Sequence, residues 1–105
     1  MNPNNANDSY QQILVAGYSD SEIAEIHILM QKWDKATYPT LANSIVDHAN
    51  RHGFKGNYLK YLRKAANFPK KGARKTKLPK GTLRWNKGTE FLIERDNKII
   101  SYGEN

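Results

Sequence analysis

The sequence predicts an α+β domain, with N-terminal helices packed on a small C-terminal antiparallel β-meander. Three observations lead there. Apolar residues recur at helical spacing between residues 19 and 67. Prolines and glycines then crowd residues 69–81. Beyond them, apolar and polar residues alternate between short turn signals. Helices followed by strands is the order of an α+β fold. With 105 residues, 38% of them hydrophobic, and no internal repeat, the chain has material for one small core.

Residues 1–18 begin with the polar, Asn-rich stretch Met1-Asn2-Pro3-Asn4-Asn5. They read as a disordered linker, or as the end of an upstream delivery segment. Within them Ile13-Leu14-Val15-Ala16 gives one or two helical turns. The domain proper is expected over residues 19–105. Ser19-Asp20-Ser21-Glu22 has the spacing of a capping box, and Ile23, Ile26, Met30 and Trp33 follow at helical period through Lys32. A second helix is expected from Thr37 or Tyr38, with Pro39 in its first turn. Its inner stripe is Leu41, Ile45, His48, Ala49 and His52, and Gly53 stops it. A third runs from Asn57 to Asn67, with Leu59, Leu62 and Ala66 on its apolar face and Pro69 beyond it.

Residues 69–81 carry six basic residues, two prolines and two glycines, and read as a mobile loop. Three strands follow: Thr82 to Trp85, Thr89 to Arg95 and Lys98 to Tyr102. Asn86-Lys87-Gly88 makes the first turn and Asp96-Asn97 the second. Phe91 and Trp33 are expected in the core, and Tyr102 at the surface.

Charge narrows the functional classes. The formal net charge is +7, and it is unevenly spread. From His48 to Thr89 there is no Asp or Glu, while 13 of the 17 basic residues fall there. Such a segment repels itself unless a polyanion lies against it, and phosphate backbones are the usual polyanion. No broad apolar face accompanies the charge, which sets a membrane surface behind nucleic acid as partner. The absence of cysteine excludes a disulfide framework and thiolate metal sites. No signal peptide or membrane anchor is read in the chain.

His48 and His52 stand four apart on one predicted helix, so their rings share a face. Three roles compete for them. Imidazole is suited to general acid–base work near neutral pH. The spacing also suits zinc, but Ala49 stands where a zinc peptidase needs Glu, and no third ligand is near. Alternatively, both are ordinary polar residues at a helix end. RNA cleavage without a metal needs a base for the 2′-hydroxyl, an acid for the leaving 5′ oxygen, and donors for phosphate charge. The chain offers His52 or His48 for proton transfer, and Arg51, Lys55 and Arg84 for phosphate. Thr82 and Ser101 are strand hydroxyls that could donate to phosphate oxygens. A strand-gripping role falls to the basic loop, through Lys70, Lys71, Arg74, Lys75, Lys77 and Lys80. Trp85, Tyr102, Tyr58, Tyr61 and Phe54 could stack on unpaired bases or fill the core. No carboxylate cluster of the kind two-metal nucleases use is visible.

The run His48-x-x-x-His52-Gly53-Phe54-x-Gly56, then Tyr58-Leu59, Ala65-Ala66-x-Phe68, the basic loop and a last hairpin ending Ile99-Ile100-Ser101-Tyr102 resembles a family of bacterial toxins. These are the C-terminal ribonuclease domains of contact-dependent growth-inhibition and related polymorphic toxin proteins. They are similar to the nuclease domain of colicin D, within the barnase–EndoU–colicin–RelE group. The resemblance covers roughly residues 45–103. It implies a microbial-RNase-like fold and metal-independent cleavage of tRNA near the anticodon loop, with no cofactor. It implies export as the C-terminal part of a surface effector and action in the target-cell cytoplasm. It also implies an acidic cognate immunity protein and, in some members, a host activating protein. Its basic-then-His element falls on Arg51-His52, its terminal hydroxyl and aromatic on Ser101 and Tyr102, and its phosphate-binding cations on Lys55 and Arg84. The family's His-Gly-x-x-Phe-Gly element is shortened here, and Ser101 stands where Thr is common. The alternatives are a non-catalytic nucleic-acid-binding module and a metal-dependent DNase.

Overall fold

The computed structural model describes residues 8–104. Four helices precede a four-stranded antiparallel sheet, an α+β fold. The helices are α1 (Asp8–Val15), α2 (Asp20–Met30), α3 (Leu41–Arg51) and α4 (Tyr58–Ala66). The strands are β1 (Arg74–Leu78), β2 (Thr82–Lys87), β3 (Glu90–Arg95) and β4 (Lys98–Glu104), paired in chain order.

Local chemistry explains the helix ends. The capping box of α2 forms: Ser19 Oγ accepts from the Glu22 amide at 3.2 Å, and the Glu22 carboxylate accepts from the Ser19 amide at 2.8 Å. Such a cap contributes about 1 kcal/mol. Helix α3 starts later than expected, because Thr40 caps it by accepting from the Asn43 amide, so Pro39 lies outside the helix. At its other end His52 is the C-cap and Gly53, at φ +86°, takes the left-handed position beyond it.

Two expectations are corrected. The linker reading of 1–18 fails from residue 8 onward. Leu14, in α1, is fully buried in the core, and the Tyr18 hydroxyl accepts from the Leu59 amide at the start of α4. Burying one such leucine contributes roughly 1.5–3 kcal/mol, so this segment belongs to the domain. Residues 1–7 lie outside the described residues. The basic stretch 69–81, read as a loop, contains strand β1, which pairs with β2 from Arg74↔Asn86 to Leu78↔Thr82. The meander therefore has four strands. A short 3₁₀ turn, Pro79–Gly81, links the first pair. The β2–β3 turn is Gly88-Thr89, one residue beyond the expected one. At the β3–β4 turn Asp96 and Asn97 both have positive φ, as a type I′ hairpin requires.

One contact fixes how helices meet sheet. Strand β4 is an edge strand, and its backbone needs partners. Tyr61 of α4 supplies them: its hydroxyl donates to the Tyr102 carbonyl at 2.6 Å and accepts from the Tyr102 amide at 3.2 Å. Further along the same edge, the Asp34 amide donates to Ile99 O and the Ile99 amide to Lys32 O. Helix α4 and the segment after α2 are thereby pinned beside β4, and Ile45, Val46, Leu59, Leu62 and Leu92 belong to the core. No helix among the described residues is long and apolar enough to cross a membrane.

Candidate active site

Strand register decides which side chains can meet. Residues opposite one another in paired strands point to the same side. Thr76, Arg84, Ile93 and Ser101 form one row across the sheet, and Arg74, Asn86, Phe91 and Gly103 form the next row on that side. The other side carries Lys75, Lys77, Trp85, Leu92, Glu94 and Tyr102, of which Leu92 and Tyr102 belong to the core.

His52 reaches the first of these sides from the end of α3. Its ring packs edge-on against Phe91, with centroids 5.4 Å apart, and rests on Gly103, where no Cβ intervenes. Arg84 lies over the same Phe91, its guanidinium carbon 4.3 Å from the ring centroid. The Arg84 Nε donates to Asn86 Oδ1 at 3.1 Å, which holds the guanidinium along β2. Phe91 is thus a platform with the imidazole at its edge and the guanidinium on its face. Partial burial, and after it the Arg51 guanidinium, hold the His52 ring below the usual imidazole pKa. The ring is therefore neutral at physiological pH and able to accept a proton.

The remaining predicted residues are distributed differently. His48, expected to share proton transfer with His52, is instead a core histidine, 8% exposed. Its Nδ1 lies 2.9 Å from Ser44 O and 3.3 Å from Ser44 Oγ, and Tyr38 packs edge-on against its ring. Burial lowers its pKa, partly opposed by the Ser44 backbone bond. Tyr102 is likewise corrected from surface to core. It is fully buried against Tyr61, Phe54 and Phe68, and its hydroxyl donates to Glu90 at 2.5 Å on the side away from His52. Burial pushes its phenol pKa far above the usual range. Tyr58, Tyr61 and Phe54 are also buried, so none offers a stacking face. Ser101 stands in the Arg84 row but is only 6% exposed.

Among the cations, Arg74 and the hydroxyl residue Thr82 share the Arg84 side of the sheet. Arg51 is exposed beside His52, donating to the Tyr38 hydroxyl at 3.0 Å and pairing with Asp47 at 3.3 Å. Tyr38 in turn donates to Asp47. Lys55 is exposed in the turn after α3. Lys70, Lys75, Lys77 and Trp85 lie away from His52. There Lys70 pairs with buried Glu94 at 2.8 Å, the Trp85 indole donates to the same carboxylate, and both Lys70 and Lys75 approach the indole ring. Lys71 sits at the foot of the β1–β2 hairpin, where its carbonyl accepts from Lys87, and Lys80 at the tip.

Sequence reasoning passed over Gly103, Phe91 as a platform, and Asn86. The signal for Gly103 was present: a glycine inside a strand marks a close approach. It also passed over a cleft of about 360 Å³ behind His52, lined by His52, Gly53, Phe54, Asn57, Lys60, Lys64 and Glu104.

The site is defined as far as class: an α+β domain presenting one neutral imidazole and a stacked guanidinium on one sheet face. Comparison with protein-family models, with curated proteins and with solved structures gave no match.

Proposed function

We propose that this protein is a metal-independent endoribonuclease. The observation that carries this reading is the convergence of His52 and Arg84 on Phe91, at the border of a segment with 13 basic and no acidic residues. The neutral imidazole takes the proton from a ribose 2′-hydroxyl. The freed oxygen attacks the adjacent phosphorus, and the P–O5′ bond breaks. Negative charge gathering on the phosphate oxygens is met by Arg84, and by Arg74 in the neighbouring strand. The 5′ oxygen leaves with a proton from solvent, and the other product ends in a 2′,3′-cyclic phosphate.

Along with the resemblance of residues 45–103, this chemistry supports a toxin domain that cleaves tRNA in neighbouring bacteria. An acidic immunity protein would neutralise it in the producing cell, and a host protein would activate it where one is needed. The basic surface is what an acidic inhibitor would recognise. Purified protein incubated with tRNA in EDTA should leave fragments ending in cyclic phosphate. If the RNA stays intact there and in magnesium, with target-cell extract added, the enzyme reading falls and a nucleic-acid-binding module remains.

A further inference from the structure

We infer that the cleft behind His52 is a second phosphate subsite, holding the phosphodiester next to the one that is cut. This rests on the nuclease reading, because it makes His52 the wall between two phosphate positions. Lys60 and Lys64 stand four apart on one face of α4, and both line the cleft. Like charges at that spacing repel each other, and an anion between them removes the cost. The first turn of α4 adds the positive end of the helix and carries no acidic residue. Asn57, the N-cap at the cleft mouth, makes no side-chain capping bond and keeps its amide for a ligand.

Among the described residues, one carboxylate lines the cleft. Glu104 approaches Lys64 at 3.7 Å, with both side chains more than a third solvent-exposed, a loose pair of little strength. An incoming phosphate displaces it and gains a charge-assisted contact to each lysine. Continuous with His52 and open to solvent, the cleft lets an RNA strand pass from the sheet face over the imidazole into it. The substrate is then a single strand with at least two consecutive phosphates, and a dinucleotide leaves the subsite empty.

The test compares a dinucleotide with a trinucleotide carrying one additional phosphate on either side. Wild-type protein should cleave one of the two trinucleotides with a kcat/KM on the order of tenfold above the dinucleotide, as a charge-assisted contact provides. Lys60→Gln and Lys64→Gln should each bring that ratio towards one. Lys98→Gln, an equal charge loss at the β3–β4 turn, should keep it. Binding of the uncleavable 2′-deoxy trinucleotides, followed against salt, gives a readout independent of chemistry. The slope of log affinity against log salt should fall by about 0.7 per lost phosphate contact. A length preference that survives both substitutions overturns the subsite. If wild-type protein cuts none of these short RNAs, the tRNA assay decides the nuclease reading, and the deoxy analogues decide the cleft alone. Weaker binding in both lysine variants, but not in Lys98→Gln, upholds it; equal binding in all three overturns it.

Discussion

The imidazole of His52 rests on the α-carbon of Gly103. A Cβ built at Gly103 would stand 2.6 Å from Nδ1 and 2.8 Å from Cε1 of that ring, and 2.7 Å from Phe91 Cε2. All three distances are shorter than a Cβ contact tolerates, so Gly103→Ala must shift the imidazole or the Phe91 ring it packs against. The substitution should cost about 1–3 kcal/mol, as overpacking does. Cleavage by the folded protein should fall about 10²-fold, the size expected for a misplaced catalytic group. Thermal melting and initial rates on one preparation separate the two effects.

The Arg84 guanidinium lies over Phe91, and its Nε donates to Asn86 Oδ1. Arg84→Gln should lower kcat by about 10²–10³, the effect of removing one donor to developing oxyanion charge. KM should change less. Arg84→Lys should recover only part of the rate, since an ammonium neither stacks on Phe91 in the same way nor offers a planar fork. Steady-state kinetics on a short RNA measures both.

The two histidines should part on acidification. Burial lowers both pKa values, so both rings are neutral in the folded protein, while the unfolded chain binds protons more readily. Their contribution to stability is complete above the unfolded imidazole value of about 6.5 and is lost as pH falls through the lower folded values. His48→Gln should flatten that acid limb in a melting-temperature series. It should also lower stability at neutral pH through the lost packing against Tyr38 and Trp33. The rate profile should follow His52 instead, with its acid-side midpoint below about 6.5.

Leu14→Ala tests whether α1 belongs to the domain. A fully buried leucine in the common core should cost about 2–5 kcal/mol on truncation. A linker residue would cost almost nothing. Urea unfolding of the full chain distinguishes them.

Much of the helical half was legible because its signals are local. Ser19 and Glu22 announce a cap, and Ile45, Ala49, Leu59 and Leu62 sit at helical period and are buried. Strand β1 was not, because Arg74-Lys75-Thr76-Lys77 has no apolar alternation. Its side chains are exposed, and backbone pairing to β2 makes it a strand. Tyr102 was misread because its polar partner Glu90 and its cover, Tyr61, come near only once the strands pair and α4 docks. His48 and His52 share a helical face, but the turn between them carries one into the core and leaves the other at its rim. Sequence spacing does not contain that difference.

The most direct test is cleavage of a defined RNA in excess EDTA by wild-type protein and by His52→Ala. His52 is partly exposed at a helix end, so the variant should melt within a few degrees of wild type. Wild-type protein should yield fragments ending in 2′,3′-cyclic phosphate, and His52→Ala should be slower by about 10²–10⁴. Equal cleavage by the two proteins, or cleavage only after divalent metal is restored, would contradict the account.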